Sequence, residues 1–379
     1  MSKVIVLGAG MVGSAMAIDM AKQHQVTLTD ISQEVLGKIK RKHGDMTFHP
    51  LDVTDKRAMQ DAIRSCDLVI NAVPGFLGFE TLKAIIEAKK DVIDIAFFPE
   101  NSLELDALAK KHGVTAIVDC GVAPGMDNVI LGYYNEFMEL TDFECLVGGL
   151  PRTKKWPFYY KAPFSPVDVL EEYTRPARYV ENGKEITREP LTDCEYVEFD
   201  KVGTLEAFNS DGLRSIIYTM PHISNMKEKT LRYPGHVEYV KVLKESGFFS
   251  REQIEVNGKL ISPLEFTSKI LFQEWKLEDG EEEITVMRVR LKGKNAGGET
   301  EEVTYSLYDE YCRDTQTSSM ARTTGYTATA AANLILEGLF TEKGVFPPEL
   351  VGKHKKCFDY FMDHLGKRNI NYIKSSRLV

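Results

Sequence analysis

The sequence feature that most constrains the fold is a glycine-rich segment, GAGMVG at residues 8–13, which directly follows the apolar run VIVL at residues 4–7. Gly8 permits a tight turn, Gly10 lets the backbone approach a pyrophosphate, and Gly13 lets the following helix pack on the strand. The start of that helix adds free N–H groups that favour an anion. The segment therefore predicts a strand, a turn and a helix that bind a dinucleotide.

An acidic residue stands where such a site needs one. Asp30 ends the second predicted strand, 22 residues after Gly8. A carboxylate there accepts hydrogen bonds from both ribose hydroxyls and repels a 2′-phosphate, and the next residues, Ile31 and Ser32, bring no arginine for that phosphate. We therefore predict NAD as the cofactor rather than NADP. The alternative is that Asp30 only caps the helix that follows Ser32.

The pattern of apolar residues predicts an α/β fold of Rossmann type in the first third of the chain. From residue 3 to about residue 120, short apolar runs alternate with segments of helical periodicity. This alternation is typical of strands joined by crossover helices in a doubly wound parallel sheet. The six predicted strands cover residues 4–7, 26–29, 46–49, 68–71, 92–95 and 115–118.

The following residues have longer alternating strands and hairpin signals. The pairs Asn182-Gly183 and Asn257-Gly258 each predict a type I′ turn between two strands. The glycine-rich loop at residues 293–298 predicts a third hairpin. A second domain of α+β type, with a mixed or antiparallel sheet, is expected.

Domain boundaries follow from these patterns. We expect residues 1–122 and 315–345 to form one discontinuous dinucleotide-binding domain, because residues 320–336 predict an Ala- and Thr-rich helix that is too apolar to lie free in water. Residues 123–314 are predicted to form a domain for substrate binding and dimerisation. Residues 346–379 are predicted to form a helical extension, with a short helix at residues 353–365 and then an extended end.

Composition and charge exclude several classes of protein. The 47 Lys and Arg residues against 56 Asp and Glu residues give a net charge of −9, which supplies no basic field for nucleic acid. No segment reaches the roughly 18 apolar residues that span a membrane. The six cysteines form no CxxC pair and no zinc-ligand pattern, which predicts no metal site and favours a reducing cytoplasm.

Further cofactor contacts are expected at the carboxyl ends of the predicted strands, where ligands bind in open α/β sheets. Asp52 and Val53 follow the third strand, beside the expected adenine, or Asp52 only caps a turn. Residues 71–75 (NAVPG) end the fourth strand, beside the expected nicotinamide half or as a purely structural turn. The predicted cofactor-binding residues are Gly8, Gly10, Met11, Val12, Gly13, Asp30, Asp52, Val53, Asn71, Ala72, Val73 and Pro74.

Beyond the Rossmann pattern, the chain resembles the saccharopine dehydrogenase family, and most of all its NAD-linked lysine 6-dehydrogenases. The motifs that carry the resemblance are DCGVAPGM at 119–126, VGGLP at 147–151, YKAPFSP at 160–166, LEAFNSDGL at 205–213, KTLRYPGH at 229–236 and MARTTGYTA at 320–328. The resemblance implies an oxidoreductase that acts on the CH–NH group of an amino acid and forms an oligomer, here expected to be a homodimer. At Ser210 this sequence lacks an arginine of the family's fungal members, which argues for a less acidic substrate.

Oxidation of an amino acid requires a cation for the carboxylate, an acid for the ammonium and a base for the amine proton. Arg232 is the first candidate for the carboxylate, Arg214 the second, and Asp211 the candidate for the ammonium. His236 is the preferred base because histidine titrates near neutrality, and Lys161 is the other candidate for proton handling. The alternative for each of these residues is a structural ion pair, a turn or a surface position.

The predicted activity is oxidation of the ε-amino carbon of lysine with NAD, with Tyr160 beside the methylene chain of the substrate. Lysine needs one carboxylate-binding arginine, whereas saccharopine carries three carboxylates that each need a partner. Two alternatives stay open. One is a saccharopine reductase that consumes glutamate, and the other is a catalytically silent NAD-binding protein that reports redox state.

Overall fold

The computed structural model describes residues 1–164, 166–278 and 280–379, and its first layer is a parallel sheet of seven strands. The strands, numbered in chain order over the whole molecule, are β1 Lys3–Leu7, β2 Gln25–Asp30, β3 Thr47–Pro50, β4 Leu68–Asn71, β5 Asp91–Asp94, β6 Thr115–Ile117 and β17 Gly344–Phe346. Their order in space is β17-β6-β5-β4-β1-β2-β3. The predicted doubly wound sheet of Rossmann type is confirmed.

Strand β17 corrects the prediction of six strands. It pairs in parallel with β6, at the edge of the sheet opposite to β3. With three residues, bounded by Gly344 at a φ of 143° and by Pro347, it is too short to show any periodicity in the sequence.

Helices cover the parallel sheet on both faces, as crossover connections require. They are α1 Met11–Ala21, α2 Gln33–Lys42, α3 Lys56–Ile63, α4 Gly75–Glu87 and α5 Asp106–His112. Helix α2 begins where the Ser32 hydroxyl accepts the N–H of Val35. Helix α5 is preceded by a short 3₁₀ helix, Ser102–Leu105.

The second layer is a mixed sheet, as expected. Its strands are β7 Glu139–Pro151, β8 Ala177–Glu181, β9 Lys184–Arg188, β10 Glu195–Phe199, β11 Gly203–Asn209, β12 Asn225–Arg232, β15 Glu283–Lys294, β16 Thr300–Glu310 and β18 Tyr372–Leu378. Strands β7 and β12 are parallel to each other, and the other pairs are antiparallel. A separate hairpin consists of β13 Ile254–Val256 and β14 Lys259–Ile261.

All three predicted hairpins are present. Asn182 and Gly183 join β8 to β9 with φ angles of 51° and 75°. Asn257 and Gly258 join β13 to β14 with φ angles of 52° and 76°. Positive φ at both central residues is the signature of the type I′ turn that these Asn-Gly pairs predict.

The remaining helices support the second sheet or link it to the first. They are α6 Met126–Asn135, α7 Pro166–Thr174, α8 Ile216–Thr219, α9 His236–Glu245, α10 Pro263–Trp275, α11 Ser319–Leu336, α12 Pro348–Gly352 and α13 Lys355–Gly366. Ser165, in one of the sequence motifs, lies outside the described residues. Within the described residues, no helix is both long enough and apolar enough to cross a bilayer.

Helix α11 contacts both layers. On one side it packs along α1, where Thr329 donates to Asp19 at 2.7 Å and Asn333 bonds to His24 at 3.1 Å. At its first turn, the carboxylate of Glu283 on β15 accepts the N–H groups of Ser319 and Met320 at 2.8 and 2.7 Å. The packing on α1 supports our proposal that residues 1–122 and 315–345 form one domain, next to residues 123–314.

The segment after residue 346 is not only helical. Helices α12 and α13 are followed by β18, which pairs with β16 at the edge of the second sheet. The prediction of a helical extension at residues 346–379 is therefore incomplete, because the extended tail supplies an edge strand.

Candidate active site

The carboxyl edge of the parallel sheet opens on a cleft of about 520 Å³ that separates it from the second sheet. The turn after β1, the end of β2 and the loops after β4, β5 and β6 form its first side. The opposite wall comes from α7, the loop after β11, strands β7 and β12, and the start of α11. Because ligands of open α/β sheets bind at this edge, the cleft is the candidate active site.

The glycine turn fits a dinucleotide. A Cβ atom on Gly8, whose φ is 102°, would lie 2.5 Å from the carbonyl oxygen of Ala72, and one on Gly13 would lie 2.1 Å from that of Gly8. These two glycines therefore allow strand, turn and helix to pack closely. At Gly10 an added Cβ would meet nothing within 4 Å, and no side chain caps helix α1 there. The backbone is thus open to a pyrophosphate at the helix start.

Asp30 is held in position at the end of β2. Its Oδ2 accepts the N–H of Ala9 and its Oδ1 accepts the N–H of Ser32, both at 2.8 Å. The residue that caps α2 is Ser32 rather than Asp30. The carboxylate lines the cleft beside the glycine turn, where a ribose of the dinucleotide would lie.

Most, but not all, of the predicted cofactor residues line the cleft. Those that do are Gly8, Gly10, Met11, Val12, Gly13, Asp30, Ala72, Val73 and Pro74. Asp52 instead accepts bonds from Thr54, and Val53 packs beneath the sheet with a separate apolar cluster. Asn71 is fully buried and donates to Asp94 at 2.6 Å. These three residues therefore do not line the described cleft, contrary to expectation, because their side chains bond or pack elsewhere.

The wall opposite the glycine turn is rich in acids. We call its five carboxyl-bearing residues the acidic wall; they are Asp168, Glu171, Glu172, Asp211 and Glu228. Among the described residues that line the cleft, the cationic ones are Arg175 and Arg232.

Ion pairs neutralise much of this charge. Arg232 donates to Glu172 at 2.6 Å and also to the hydroxyls of Tyr173 and Tyr160. Asp211 accepts both Nε and Nη2 of Arg178 at 3.0 Å, in a bidentate pair. Arg232 and Asp211 are therefore at the cleft, as predicted, but each already has a partner of opposite charge.

Arg175 differs from Arg232 in this respect. Its Nη2 lies 3.4 Å from Glu171, while its buried Nη1 has no hydrogen-bond partner. The guanidinium lies 4.9 Å from the centre of the Phe97 ring, which holds it in the cleft by a cation–π contact. Arg175 thus offers an unpaired donor to a ligand carboxylate.

Arg214 does not reach the cleft, which corrects its prediction as a substrate-binding residue. It is buried, with its Nε 2.9 Å from Asp119 and its Nη1 2.8 Å from the carbonyl oxygen of Phe98. Both acceptors lie on loops of the parallel sheet, so Arg214 joins the two layers.

Glu228 is a deeply buried acid of this wall, and one of its carboxyl oxygens has no partner. It is 4% exposed, and its Oε2 has no hydrogen-bond partner. Behind it lie Asp127, at the first turn of α6, and Cys145 on β7, with one polar atom of each within 4.8 Å of the others. Burial raises the pKa of the Glu228 carboxyl well above its ordinary value and that of Asp127 to about 7, and the charge of Asp127 raises that of Glu228 further.

His236 does not line the cleft, contrary to its predicted role as base. Its Nδ1 lies 2.8 Å from the carbonyl oxygen of Phe158, so Nδ1 carries the proton and Nε2 accepts from Tyr173 at 2.9 Å. Burial, and then the charge of Arg232, lower its pKa to about 3. The neutral ring instead holds Tyr173, which in turn accepts from Arg232.

Two further predicted residues also stand away from the cleft. Lys161 donates to the carbonyl oxygen of Glu274 at 2.6 Å. Tyr160 is buried, and its ring lies 4.3 Å from the guanidinium of Arg232. Both therefore act on the cleft at most through the residues that they contact.

Arg175 and Glu228 were not predicted from the sequence. Arg175 lies outside the motifs that carry the family resemblance. Glu228 stands in a strand, NMKEKTLR, in which it is followed by four more buried residues, Lys229 to Arg232. An acid inside such a strand is the signal that could have found it, since buried acids are rare unless paired.

A glycine turn that fits a dinucleotide and that faces arginines and an acid-rich wall supplies what an NAD(P)-dependent oxidoreductase acting on amino acids requires. Two family models cover nearly the whole chain. The model described as the saccharopine dehydrogenase NADP binding domain matches residues 4–117, and the model described as the saccharopine dehydrogenase C-terminal domain matches residues 121–370. The chain therefore belongs to the saccharopine dehydrogenase family.

Three relatives are distant in sequence but similar to this chain in length. An L-glutamate-forming, NADP-dependent saccharopine dehydrogenase of Pyricularia oryzae is 23% identical over 91% of this chain and 93% of its own. A carboxyaminopropylagmatine dehydrogenase of Synechocystis is 22% identical over 92% of each chain. The apo structure of the L-Glu-forming saccharopine dehydrogenase from Saccharomyces cerevisiae has a TM-score of 0.80, with 21% identity and full coverage of both chains. This structural likeness establishes the fold.

Proposed function

We propose that this protein oxidises the amine-bearing carbon of a lysine-like amino acid, with NAD as the cofactor. The supporting observation is the number of arginines that a substrate carboxylate can use. Of the two that line the described cleft, Arg232 is already paired with Glu172, whereas Arg175 has a buried, unpartnered Nη1. One substrate carboxylate can therefore be bound by a charge-assisted pair.

The acidic wall favours a cation at the other end of the substrate. An ammonium group opposite carboxylates stays charged with little cost, while each extra carboxylate in the same place would lack a partner and be repelled. Saccharopine carries three carboxylates and lysine carries one. The same number of available arginines and acids favours other amines with one carboxylate, including the carboxyaminopropylagmatine in the name of the Synechocystis relative.

Asp30 supports NAD over NADP. Its carboxylate is fixed by two backbone N–H groups at the rim of the cleft, and a 2′-phosphate there would meet a negative charge. The following residue, Ile31, is exposed and offers no counter-charge. When bound, the nicotinamide ring supplies the acceptor for the hydride that the substrate carbon loses.

The second candidate is glutamate-forming saccharopine dehydrogenase activity, which the names of the fungal relatives favour. The two candidates make different demands on glutamate. Forward oxidation of lysine does not need it, whereas the reductive direction of a saccharopine enzyme condenses an aldehyde with glutamate before the imine is reduced.

A substrate panel tests the proposal. Lysine, saccharopine, carboxyaminopropylagmatine and ornithine are each assayed by the absorbance of reduced nicotinamide, with NAD and with NADP. We expect lysine or another single-carboxylate amine with NAD to give the highest kcat/KM. A tenfold advantage for saccharopine would contradict the lysine proposal. Binding of NAD without turnover of any amine would instead indicate a redox-reporting protein.

A further inference from the structure

We propose that Glu228 is the residue that accepts the proton of the substrate amine, with Asp127 behind it as the positioning residue. This inference rests on the proposed function only in that the substrate is an amine. Any amine in the cleft must lose a proton before its carbon can lose hydride, because the nitrogen needs a free electron pair to form the C=N bond.

The first support is where Glu228 lies. It stands on β12 between the loop that carries Asp211 and the nucleotide side of the cleft, and it lines the cleft although it is 4% exposed. A Cβ added to Gly212 would lie 1.9 Å from its Oε1, so the loop passes directly over the carboxyl group and only glycine leaves room for it. Its Oε2 has no partner within the described chain.

The second support is the residue behind it. Asp127 uses Oδ1 to accept the N–H of Gly125 at 2.8 Å, and its Oδ2 is buried without a partner. Two buried carboxyl groups this close do not both ionise, so the pair holds one proton and one negative charge near neutral pH. The thiol of Cys145 beside them stays neutral because burial raises its pKa. A neutral thiol makes this group a poor metal site.

Three other acids of the wall are less suited to accept a proton, because each is paired with an arginine. Asp211 has a bidentate pair with Arg178, and Glu171 lies 3.4 Å from both Arg175 and Arg251. Burial raises the pKa of Glu172, but protonating it would break its 2.6 Å pair with the fully buried Arg232. A carboxylate paired with an arginine is a weak base.

The proton step balances without any other reactant. The step starts from the form of the pair in which Asp127 holds the proton and Glu228 is ionised. An N–H bond of the substrate ammonium breaks, an O–H bond forms at the Glu228 carboxylate, and the electron pair of the broken N–H bond stays on nitrogen. The pair then carries two protons and no charge. One of these protons returns to water after the product has left.

Charged groups around the pair set the pH at which its two carboxyl groups lose their protons. Glu172 on α7 and Asp211 after β11 raise the pKa of Glu228, while Arg214 lowers it. Glu349 on α12 raises that of Asp127, and its own oxygens accept from Asn128 and Thr219. Since the pKa of Asp127 is about 7, kcat should fall as the pH drops through about 7 and the pair becomes fully protonated.

The test compares Glu228→Gln with a matched control, Glu206→Gln. Glu206, on the neighbouring strand β11, is 5% exposed and also has an unpartnered Oε2, but it does not line the cleft. With the best amine from the panel, we expect Glu228→Gln to lower kcat at least 100-fold, in the range of general base catalysis, and to abolish the fall near pH 7. Glu206→Gln should stay within twofold of the wild type.

The variant Asp127→Asn tests whether Asp127 acts through its carboxyl group or only by packing behind Glu228. Without Asp127, Glu228 is the group of the pair that can still carry the charge, and burial raises its pKa well above its ordinary value, so the fall in kcat should move to higher pH while activity at high pH is largely kept. Binding of NADH, followed by its fluorescence, should be unchanged in all three variants. A rate within twofold of the wild type in Glu228→Gln, or an equal loss in Glu206→Gln, would overturn the assignment.

The role of Glu228 can be tested even if the proposed substrate is wrong. If saccharopine is the preferred substrate, the lysine proposal fails, and the same variants are measured with saccharopine, whose secondary amine must also lose a proton. If no amine is oxidised, infrared spectra decide. Other buried carboxyl groups, such as Glu283, also have a raised pKa, so the difference spectrum between the wild type and Glu228→Gln near neutral pH is the measure. It must contain the band of a protonated carboxyl group, and its absence would contradict the pair.

Discussion

At the scale of single residues, the number of polar atoms that the fold leaves unpaired distinguishes a ligand contact from a structural one. Asp30, Arg175 and Glu228 keep free or exposed polar atoms at the cleft, while Arg232 and Asp211 are paired. The spacing of Asp30 from the glycine turn is local, so the sequence predicts it well. Pairing between residues distant along the chain is not visible in the sequence, and for this reason Arg214 and His236 were assigned to the cleft and Arg175 was missed.

We expect Asp30→Ala to raise the KM for NAD about 10- to 100-fold, because the variant loses the charged acceptor for the ribose hydroxyls, worth about 1.5–3 kcal/mol. The KM for NADP should change less or fall, since the repulsion of the 2′-phosphate is also removed. Initial rates with both cofactors measure this. The control is Asp52→Ala, whose carboxylate contacts only Thr54 in the described structure. A preference of the wild type for NADP would contradict the role of Asp30.

Arg175→Lys keeps a positive charge but removes the planar fork that grips a carboxylate. We expect the KM of the amino-acid substrate to rise at least tenfold with a smaller change in kcat, since the contact serves binding in the ground and transition states alike. The matched control is Arg251→Lys, because Arg251 also lies 3.4 Å from Glu171 but is largely exposed outside the cleft. Equal KM values for Arg175→Lys and the wild type would remove Arg175 from the site.

At the scale of elements, strong local signals gave correct predictions. The six periodic strands, the Asn-Gly hairpins and the helix at residues 320–336 were all found in place, because turn chemistry and apolar periodicity are properties of neighbouring residues. Strand β17 was missed because three residues carry no period, and its strand character comes from pairing with β6. The extended tail was recognised as extended, but its partner β16 is set by tertiary packing.

The start of α11 gives a prediction at this scale. Glu283 on β15 accepts two N–H groups of the helix, and burial raises its pKa to about 7. Glu283→Ala should lower the free energy of unfolding by about 2–3 kcal/mol, because two buried donors lose their acceptor. Denaturant unfolding measures this. Glu282→Ala, which removes surface pairs with Arg313 and Arg152, should change stability little; a larger effect there would contradict the buried cap.

At the scale of the whole molecule, Arg214 joins the two layers beneath the cleft. It reaches Asp119 and the carbonyl oxygen of Phe98 across the interface, and both Arg214 and Asp119 adopt positive φ angles, 45° and 53°. Such backbone conformations cost energy in residues other than glycine and persist only where contacts enforce them. The pair of Arg214 and Asp119 therefore fixes the position of the acidic wall relative to the cofactor side of the cleft.

We expect Arg214→Ala to lower the free energy of unfolding by about 3–5 kcal/mol, since it leaves the Asp119 carboxylate buried and uncompensated. The double variant Arg214→Met with Asp119→Asn should recover most of that loss, because no lone charge then remains. Thermal unfolding of the wild type, the single variant and the double variant measures these differences in stability. Equal stability of Arg214→Ala and the wild type would show that the pair is dispensable.

Strands β17 and β18 have a consequence for how the protein is made. Both sheets receive an edge strand from residues 344–378, so a ribosome synthesises nearly all of either sheet before it delivers the strand that covers its edge. Until then β6 and β16 each expose a row of unpaired backbone groups that can pair with another nascent chain. Within one short stretch of synthesis, β17 and β18 then replace β6 and β16 as the outer strands of the two layers.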